Sequence, residues 1–467
     1  MPPTKPPLPA RIVTISDHID CPTGFGVQHR HVAAALARAG FDVHSLGLWD
    51  NRPLATTPEG LTRYPGGQGG DDHRRAWAMY RDLLRPDLVI TLGDLDMFAH
   101  LTDADRDFAW CHWLPIDAEP YPERDHARLL RCDHLVLMSR FGLELVRPRL
   151  EGRVPLHYIP HGVDVRIFQP LEDPLVLRRR WSRRLGVELG PRDFILIARD
   201  TNQWRKQTPL LLDALARTPR DVKLLLHCHP VAHPEANGWD LEHLARDVYR
   251  VADRVVFTGR GAERPSLSPK ELAQLDNLAD LRVSATQGEG FGVVTLEAMA
   301  CGTPTLITDY TTSRELVEGR GSSGEGRGKE GRGARDQGRG SRPLGFPSSL
   351  DPRPSTLDPL ALDPFGPAGE LIRVASWTVE QRRHLLRPVI DTADLAARVA
   401  ALRADPGRLA AYAAAGLRRV HASYTVGHVA RAWVSLARRV LALPPAGSPP
   451  AAPLPSRRFP TCGRVNG

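Results

Sequence analysis

The sequence predicts an α/β protein in which two Rossmann-like, doubly wound parallel-sheet halves face each other across a cleft. Short apolar runs alternate with helical periodicity along most of the chain, which is the pattern of repeated strand–helix units. A glycine-containing loop at residues 22–26 separates the first apolar run from the first helical pattern. The length of 467 residues exceeds what one ordinary hydrophobic core accommodates, so at least two domains are expected.

The first half begins with an apolar strand at 11–16, followed by the glycine loop, a helix at 28–39 and a strand at 41–48. This β-α-β order with glycines in the first crossover is typical of the start of a doubly wound domain. The following predicted elements are a helix at 71–85 and strands at 88–92, 108–113 and 135–138. We place the first domain at residues 1–168 and a charged linker at 169–189.

The second half is predicted over residues 190–425. Its expected strands are 194–198, 222–226, 255–258, 281–285 and 305–307, and its later helices are 392–403 and 407–419. An insertion at 319–367, rich in Gly, Arg and Pro, is predicted to be disordered because it cannot bury enough apolar surface to fold. A last helix is expected at 426–441, and a Pro-rich, disordered tail at 443–467.

The composition indicates which kinds of partner and which cellular compartment to expect. The net charge of +8 favours anionic partners such as nucleotide sugars, acidic lipid surfaces or nucleic acid. Six scattered cysteines without a C-x-x-C pair indicate a reducing compartment and disfavour a disulfide framework. No apolar run approaches the roughly 20 residues of a membrane helix, and the N-terminus lacks the apolar segment of a signal peptide. We therefore expect a cytoplasmic protein, with peripheral contact at the inner face of the membrane left open.

The most informative stretch is residues 281–304, where a strand, a glycine loop and a helix follow one another. Backbone N–H groups in such a loop and at such a helix start can bind phosphate. Glu289 lies in the loop and Glu297 on the helix, near enough for both to reach one ligand. A simple phosphate site has no use for paired carboxylates, whereas a nucleotide sugar brings hydroxyl groups on either side of its diphosphate.

This stretch resembles the E-x7-E signature of retaining GT-B glycosyltransferases of family GT4, the glycosyl transferases group 1. Other segments that resemble the family are 22–26, 159–164, 204–206, 238–241 and 256–259. The resemblance covers residues 11–318 and 369–441. It implies a GT-B fold with the acceptor site mainly in the first domain, the donor site in the second, and the last helix packed back on the first.

The resemblance also assigns roles to charged residues. It implies that Glu297 binds the ribose hydroxyls of the donor and that Glu289 contacts the transferred hexose. Cations must stabilise the charge that grows on the departing diphosphate, and Lys206 is the first candidate. The spacing of Arg199 and Arg205 does not decide which of them assists Lys206.

Further positions complete the predicted site. The family implies that His112 touches the reacting sugar, while a structural role for this histidine is the alternative. Gly24 and Gly26 either let their loop approach the substrates or serve a tight turn. The remaining candidate substrate-binding residues are Asp117, Thr258, Gly259, Gly290, Phe291, Gly292, Thr295 and Leu296.

Metal sites are weaker hypotheses. Asp94 and Asp96 form the D-x-D motif that binds metal in another glycosyltransferase fold, but that fold lacks two Rossmann-like halves. His227, Cys228, His229 and His233 are potential zinc ligands, yet adjacent side chains on a strand point to opposite faces. We expect no metal and no cofactor other than the nucleotide-sugar co-substrate.

The predicted activity is retaining transfer of a hexosyl group from a UDP- or GDP-linked sugar to a glycan, lipid or small-molecule hydroxyl. One alternative is a GT-B epimerase or phosphorylase. Another is a non-catalytic protein that binds RNA through the Arg-Gly tract at 320–342. Nucleic-acid binding is disfavoured because this tract contains acidic residues and lacks aromatic ones.

Overall fold

The computed structural model describes residues 9–102, 106–171, 173–231, 237–259, 267–319, 364–381 and 383–442. The predicted tail at 443–467, the Arg-Gly tract, nearly all of the predicted insertion at 319–367 and His233 lie outside the described residues.

The first domain surrounds a sheet of eight strands. Its strands and helices, in chain order, are β1 Arg11–Asp17, α1 Gly24–Arg38, β2 Asp42–Leu48, β3 Ala55–Thr56, β4 Thr62–Pro65, α2 Gly70–Leu84, β5 Leu88–Leu92, α3 Ala99–Thr102, β6 Ala109–Leu114, α4 Glu123–Leu129, β7 His134–Leu137, α5 Arg140–Leu150 and β8 Leu156–Tyr158. The strand order is β3-β4-β2-β1-β5-β6-β7-β8, and only β3 pairs antiparallel.

The second domain contains a six-stranded parallel sheet and a separate hairpin. Its elements are α6 Pro174–Leu185, β9 Phe194–Ala198, α7 Thr208–Ala216, β10 Val222–Leu226, α8 Leu241–His243, β11 Val255–Phe257, α9 Pro269–Leu278, β12 Leu281–Ser284, α10 Val293–Ala300, β13 Thr305–Thr308, α11 Ser313–Glu318, β14 Gly369–Ile372, β15 Val374–Glu380, β16 Leu385–Ile390, α12 Thr392–Arg403, α13 Pro406–Ser423 and α14 Val426–Val440. The sheet order is β11-β10-β9-β12-β13-β14, and β15 pairs antiparallel with β16.

These two parallel sheets confirm the predicted fold class of paired Rossmann-like domains. Every residue of β5 and of β9 is buried, because helices cover both faces of each sheet. The first crossover helix starts at Gly24, earlier than expected, since the Thr23 hydroxyl accepts a hydrogen bond from the Gly26 N–H at 3.1 Å and caps the helix.

The segment predicted as a linker at 169–189 contains helix α6, which packs on the second domain. Leu177 and Trp181 of α6 are each only 1% exposed and belong to the second domain's core. Arg178 donates to Asp280 at 2.6 Å. The arginine-rich composition concealed an amphipathic pattern, because most of the charges lie on the solvent face and Arg178 is paired within the protein.

The hairpin β15–β16 has no counterpart among the predicted elements. It lies between β14 and α12 and crosses to the first domain, where the Leu386 N–H donates to the Glu119 carbonyl at 2.7 Å. Alternating apolar and polar residues at 375–380 are the pattern that indicates such a strand.

The end of the described chain lies against the first domain. Helix α14 packs on α1, and Trp433, fully buried, meets Trp113 with ring centroids 5.2 Å apart. The Val163 N–H donates to the Tyr424 carbonyl at 2.9 Å. Within the described ranges, no helix has the length and apolar character required to span a lipid bilayer.

A buried carboxyl group lies where the two domains and the C-terminal helices meet. Glu315 of α11 accepts hydrogen bonds from the Arg140 N–H at 2.7 Å and from the Tyr158 hydroxyl, and the Tyr424 hydroxyl is 3.5 Å away. Burial raises the pKa of Glu315 to about 7, despite these hydrogen bonds and the nearby Arg140 guanidinium.

We expect the Glu315→Gln variant to lose less stability with rising pH than the wild type. Because the folded-state pKa of Glu315 is raised, its protonated form stabilises the folded chain at low pH, and this stabilisation disappears as the pH rises through about 7. The thermal midpoint, measured between about pH 5 and about pH 8.5, should therefore fall more steeply in the wild type. Glu318→Gln, exposed on the same helix, is the control; equal slopes for all three proteins would contradict the prediction.

Candidate active site

The stretch singled out by the sequence consists of β12, a loop at 285–292 and α10. Gly292 has a φ of 97° and precedes the first residue of α10. Hydroxyl groups from the loop before α11 hold the stretch in place: Thr312 donates to the Phe291 carbonyl at 2.7 Å, and Thr311 accepts from the Glu289 N–H at 3.1 Å. The conformation of the loop is therefore set by the next β-α connection of the same sheet.

The loop lies directly against the first domain. A Cβ atom at Gly288, whose φ is 142°, would stand 1.8 Å from the Asp117 carbonyl oxygen. A Cβ atom at Gly290 would stand 2.9 Å from Cβ of Pro115. Glycine at 288 is thus required both by the backbone conformation and by the approach of the two domains.

Glu289 is surrounded by cations. Lys206 donates through Nζ to the Glu289 carboxylate and, at 3.2 Å, to Asp200 Oδ1. Arg205 Nη1 lies 3.7 Å from Glu289 Oε1. Burial alone would raise the pKa of Glu289, but Lys206 and Arg205 hold it below its ordinary value. Glu289 is consequently ionised at neutral pH.

Glu297 is held by a buried ion pair beneath the cleft. Arg199 donates to both oxygens of Asp276 at 2.9 and 2.7 Å, and to Glu297 Oε2 at 2.8 Å. The Arg199 side chain is only 3% exposed, whereas that of Glu297 is 14% exposed. Burial raises the pKa of Asp276 to about 6, against the opposing attraction of Arg199.

The two arginines that the sequence left as alternatives occupy different places. Arg199 is sealed under Glu297, so its expected contact with a departing diphosphate is not available from this position. Arg205, with 30% of its side chain exposed, lies at the cleft, where it donates to the Gly288 carbonyl. Its Nε is also 3.7 Å from Asp117 Oδ2.

A cavity of about 370 Å³ opens at the N-terminal end of α10. Lys206, Glu289 and Thr295 line it, together with Arg282 of β12. Arg282 is 2% exposed, and its Nη1 has no hydrogen-bond partner among the described residues. The sequence analysis did not select Arg282. An arginine inside an otherwise apolar strand nevertheless indicates a binding position, because a buried guanidinium needs an anionic partner.

Three predicted residues do not present their side chains to the cleft. His112 is fully buried in β6, shares a 2.7 Å hydrogen bond with the Thr91 hydroxyl, and has a pKa lowered to about 3 by burial. Leu296 is fully buried in the core. The Phe291 ring packs against His161 and Tyr424, so that only its backbone lies along the loop. The burial of His112 favours the structural role that the sequence left as the alternative.

The other predicted positions are more dispersed. Gly26 is buried in the first turn of α1, where a Cβ atom would stand 2.5 Å from the Cys21 carbonyl oxygen, so the turn at 18–21 packs directly against it. Gly24 is exposed with open space around it. Thr258 and Gly259 follow β11 at the edge of the sheet. The Thr258 hydroxyl shares a 2.7 Å hydrogen bond with His227 Nδ1.

The two aspartates of the D-x-D motif form ion pairs with arginines. Arg383 lies 3.5 Å from Asp94 and 3.7 Å from Asp96, and Arg128 donates to Asp96 at 2.6 Å. In the part of the chain that the structure describes, no three His, Cys, Asp or Glu side chains are grouped so that they could hold a metal ion.

We expect Arg199→Met to destabilise the fold by about 3–5 kcal/mol near pH 8, because it leaves Asp276 and Glu297 without their buried cation. Since the pKa of Asp276 is already raised to about 6, the loss should shrink towards about pH 5, where this carboxyl group becomes neutral. Denaturant unfolding at the two pH values measures this.

Arg199→Met combined with Asp276→Asn should recover part of the loss at high pH. Arg166→Met, which removes an exposed guanidinium paired with Asp164, is the control and should cost less than about 1 kcal/mol. An equal loss for Arg199→Met at both pH values would argue against this account of the buried cluster.

Comparison with known proteins identifies the central segment. Residues 191–326 match the family model of glycosyl transferases group 1. A D-inositol 3-phosphate glycosyltransferase from Jonesia denitrificans is 32% identical over 161 residues, which are 33% of this chain and 35% of that protein. A lipopolysaccharide core biosynthesis mannosyltransferase, LpsB, from Rhizobium meliloti is 31% identical over 175 residues, or 36% of this chain and 44% of that protein. The chain thus spans less than half the length of these relatives.

Solved structures show the same fold over nearly the whole chain. Sucrose-phosphate synthase from Thermosynechococcus elongatus superposes with a TM-score of 0.67 at 19% identity, covering 93% of this chain and 99% of that one. Anabaena HepE in complex with UDP and glucose superposes with a TM-score of 0.59 at 14% identity, covering 93% and 100%. Residues 191–326 are therefore similar to the glycosyl transferases group 1, and the chain as a whole has the GT-B fold.

Proposed function

We propose that the protein is a retaining, GT4-type hexosyltransferase that needs no metal ion. It moves a hexosyl group from a UDP- or GDP-linked sugar to a hydroxyl group of a glycan, lipid or small-molecule acceptor. The observation that carries the proposal is that Glu289 lines a cavity with Lys206 and Arg282 at the start of α10, while Glu297 lies on the same helix and is held by Arg199. Two relatives matched over about a third of the chain, both named glycosyltransferases, support it.

The donor diphosphate has several positive partners in this arrangement. Lys206 and Arg282 line the cavity together with residues 292–295 at the start of α10, and Arg205 lies 3.7 Å from Glu289. Together they stabilise the negative charge that grows on the diphosphate as the sugar departs. A bound metal ion supplies the same charge in other enzymes, and these cations take that role here.

The two carboxylates accept hydrogen bonds from hydroxyl groups on either side of the diphosphate. Arg199 anchors one oxygen of Glu297 at 2.8 Å, which leaves the other oxygen for the ribose. Arg199 is therefore a positioning residue. Lys206 and Arg205 keep Glu289 ionised, so that it accepts from a hydroxyl group of the hexose.

Transfer proceeds on one face of the sugar in this proposal. The bond between the anomeric carbon and the phosphate oxygen breaks, and the acceptor oxygen bonds to the same carbon from the same side. The acceptor's proton passes to the departing phosphate oxygen, so no protein side chain acts as the general base. Retention of configuration follows from this front-face geometry.

A panel of UDP- and GDP-sugars tests the proposal and the role of Lys206 together. One donor should raise the thermal midpoint by binding the native state and should be turned over, with or without EDTA. Lys206→Met is expected to lower kcat/KM for that donor about 10- to 100-fold, because a charged hydrogen bond realised in the transition state is lost.

Lys270→Ala, an exposed lysine on α9, is the matched control and should behave as the wild type. Unchanged turnover in Lys206→Met would contradict the assignment of the site. Loss of activity in EDTA would contradict the metal-free part. Release of a sugar 1-phosphate with inorganic phosphate, or an epimerised donor without acceptor, would instead indicate the phosphorylase or epimerase alternative.

The two glutamates should affect different kinetic constants. Glu297→Gln is expected to weaken nucleotide binding about tenfold or more, seen as a raised KM for the donor, because ribose binding is equal in the ground and transition states. Glu289→Gln should lower kcat with a smaller effect on KM, since its contact is made to the moving sugar. Steady-state kinetics and calorimetric titration with the nucleoside diphosphate measure both. Identical effects of the two substitutions would refute this division.

A further inference from the structure

A second cavity, of about 450 Å³, lies at the carboxyl ends of β5 and β6. The first domain lines it with four carboxyl groups, those of Asp94, Asp96, Asp117 and Asp125. The second domain closes it with the hairpin β15–β16, through Arg383 and Leu385. We call it the Asp94 cavity. Because its walls come from both domains, it exists only while the two domains face each other as they do here.

The hairpin is anchored on the first domain beside this cavity. Arg387, 4% exposed, donates to the Asp117 carbonyl at 3.0 Å and lies 3.3 Å from the Asp117 carboxylate. The Tyr310 hydroxyl donates to the Leu386 carbonyl at 2.9 Å and accepts from the Glu119 N–H at 2.9 Å. These contacts fix the base of the hairpin, so its turn is positioned over the cavity.

Arg383 is the cation of the second domain that lies beside Asp94 and Asp96. Its Nη2 lies 3.5 Å from Asp94 and 3.7 Å from Asp96, and 31% of its side chain is exposed. These separations are longer than those of a short charged hydrogen bond, so its N–H groups can also donate to a ligand oxygen.

The carboxyl groups of the cavity have acceptor capacity to spare. Asp125 is 8% exposed, and its Oδ1 has no hydrogen-bond partner among the described residues; the nearest cations, Arg128 and Arg124, are 3.6 and 3.8 Å away. Carboxylates accept hydrogen bonds from hydroxyl groups and repel phosphate. The lining therefore suits a polyhydroxyl group without a phosphate.

The Asp94 cavity adjoins the candidate active site through Asp117. Asp117 Oδ2 is 3.7 Å from Arg205 Nε, and Arg205 Nη1 is 3.7 Å from Glu289 Oε1. A hydroxyl group bound beside Asp117 is thus one side chain away from Glu289, where the sugar of the proposed donor would lie.

We propose that the Asp94 cavity binds an uncharged polyhydroxyl acceptor, and that Arg383 is a specificity-determining residue supplied across the domain boundary by the hairpin. This inference rests on the proposed glycosyl transfer. It adds the chemical class of the acceptor, a sugar or cyclitol hydroxyl group free of phosphate, and the part of the second domain that selects it.

Transfer by the full-length protein to three matched pairs of acceptors tests the inference. The pairs are myo-inositol and D-inositol 3-phosphate, glycerol and glycerol 3-phosphate, and glucose and glucose 6-phosphate. The donor is the nucleotide sugar that the wild type hydrolyses fastest in the absence of an acceptor. We expect at least one uncharged acceptor to be used, with kcat/KM about tenfold or more above that of its phosphate, because the acidic lining repels the added charge.

Two variants separate acceptor selection from donor chemistry. Arg383→Ala should raise the KM for the uncharged acceptor about tenfold by removing a charged donor, while donor hydrolysis without acceptor stays unchanged. The double variant Asp94→Asn, Asp125→Asn should lower the ratio of kcat/KM for the uncharged acceptor to kcat/KM for its phosphate. Arg373→Ala, which removes an exposed arginine just before β15, is the matched control for Arg383→Ala.

Each result decides between the two proposals. Preference of the wild type for phosphorylated acceptors, hydrolysis without transfer to any uncharged acceptor, or an unchanged acceptor KM in Arg383→Ala would overturn this inference and leave the glycosyltransferase assignment intact. Absence of both donor binding and donor hydrolysis in the wild type would overturn the proposed function, and this inference with it.

Discussion

A row of alternating charges crosses the boundary between the two domains, and the site is organised around it. Asp117, Arg205, Glu289, Lys206 and Asp200 follow one another, each within 3.7 Å of the next. Only Asp117 belongs to the first domain, so the row is complete because the loop at 285–292 touches that domain. Each interior member has opposite charges on both sides, and these neighbours keep the pKa of Glu289 below its ordinary value.

A second cluster of charged side chains lies below this row and has a different structural role. Arg199 and Asp276 are almost fully buried and form a bidentate pair whose remaining N–H contact holds Glu297. Such a pair contributes little net stability, because desolvation offsets its attraction. The pair instead positions Glu297, because Arg199 binds one oxygen of the Glu297 carboxylate and leaves the other oxygen available. The exposed cations can then bind a ligand without releasing Glu297.

The hairpin β15–β16 links the chemistry of the second domain to a cavity of the first. Its arginines extend the charged row beyond Asp117, with Arg387 behind that residue and Arg383 over Asp94. Residues that bind the proposed donor and residues that bind the proposed acceptor are therefore connected by direct contacts. Separation of the domains would break both sets at once, which couples the assembly of the cleft to that of the Asp94 cavity.

The sequence by itself determined the parallel α/β architecture, because strand and helix periodicities and turn glycines are local properties. It also selected Glu289, Glu297 and Lys206 as candidate site residues, because they lie in a loop, on a helix and in a turn whose local pattern is distinctive. Only the tertiary structure decided that Arg205 rather than Arg199 lies at the cleft, that His112 and Leu296 are buried, and that α6 and the hairpin are packed elements. Burial and ion pairing join residues far apart in the chain: Arg199 is 77 positions from Asp276, and Arg387 is 270 from Asp117. The role of a charged side chain depends on which partners and how much water surround it, and the fold alone supplies both.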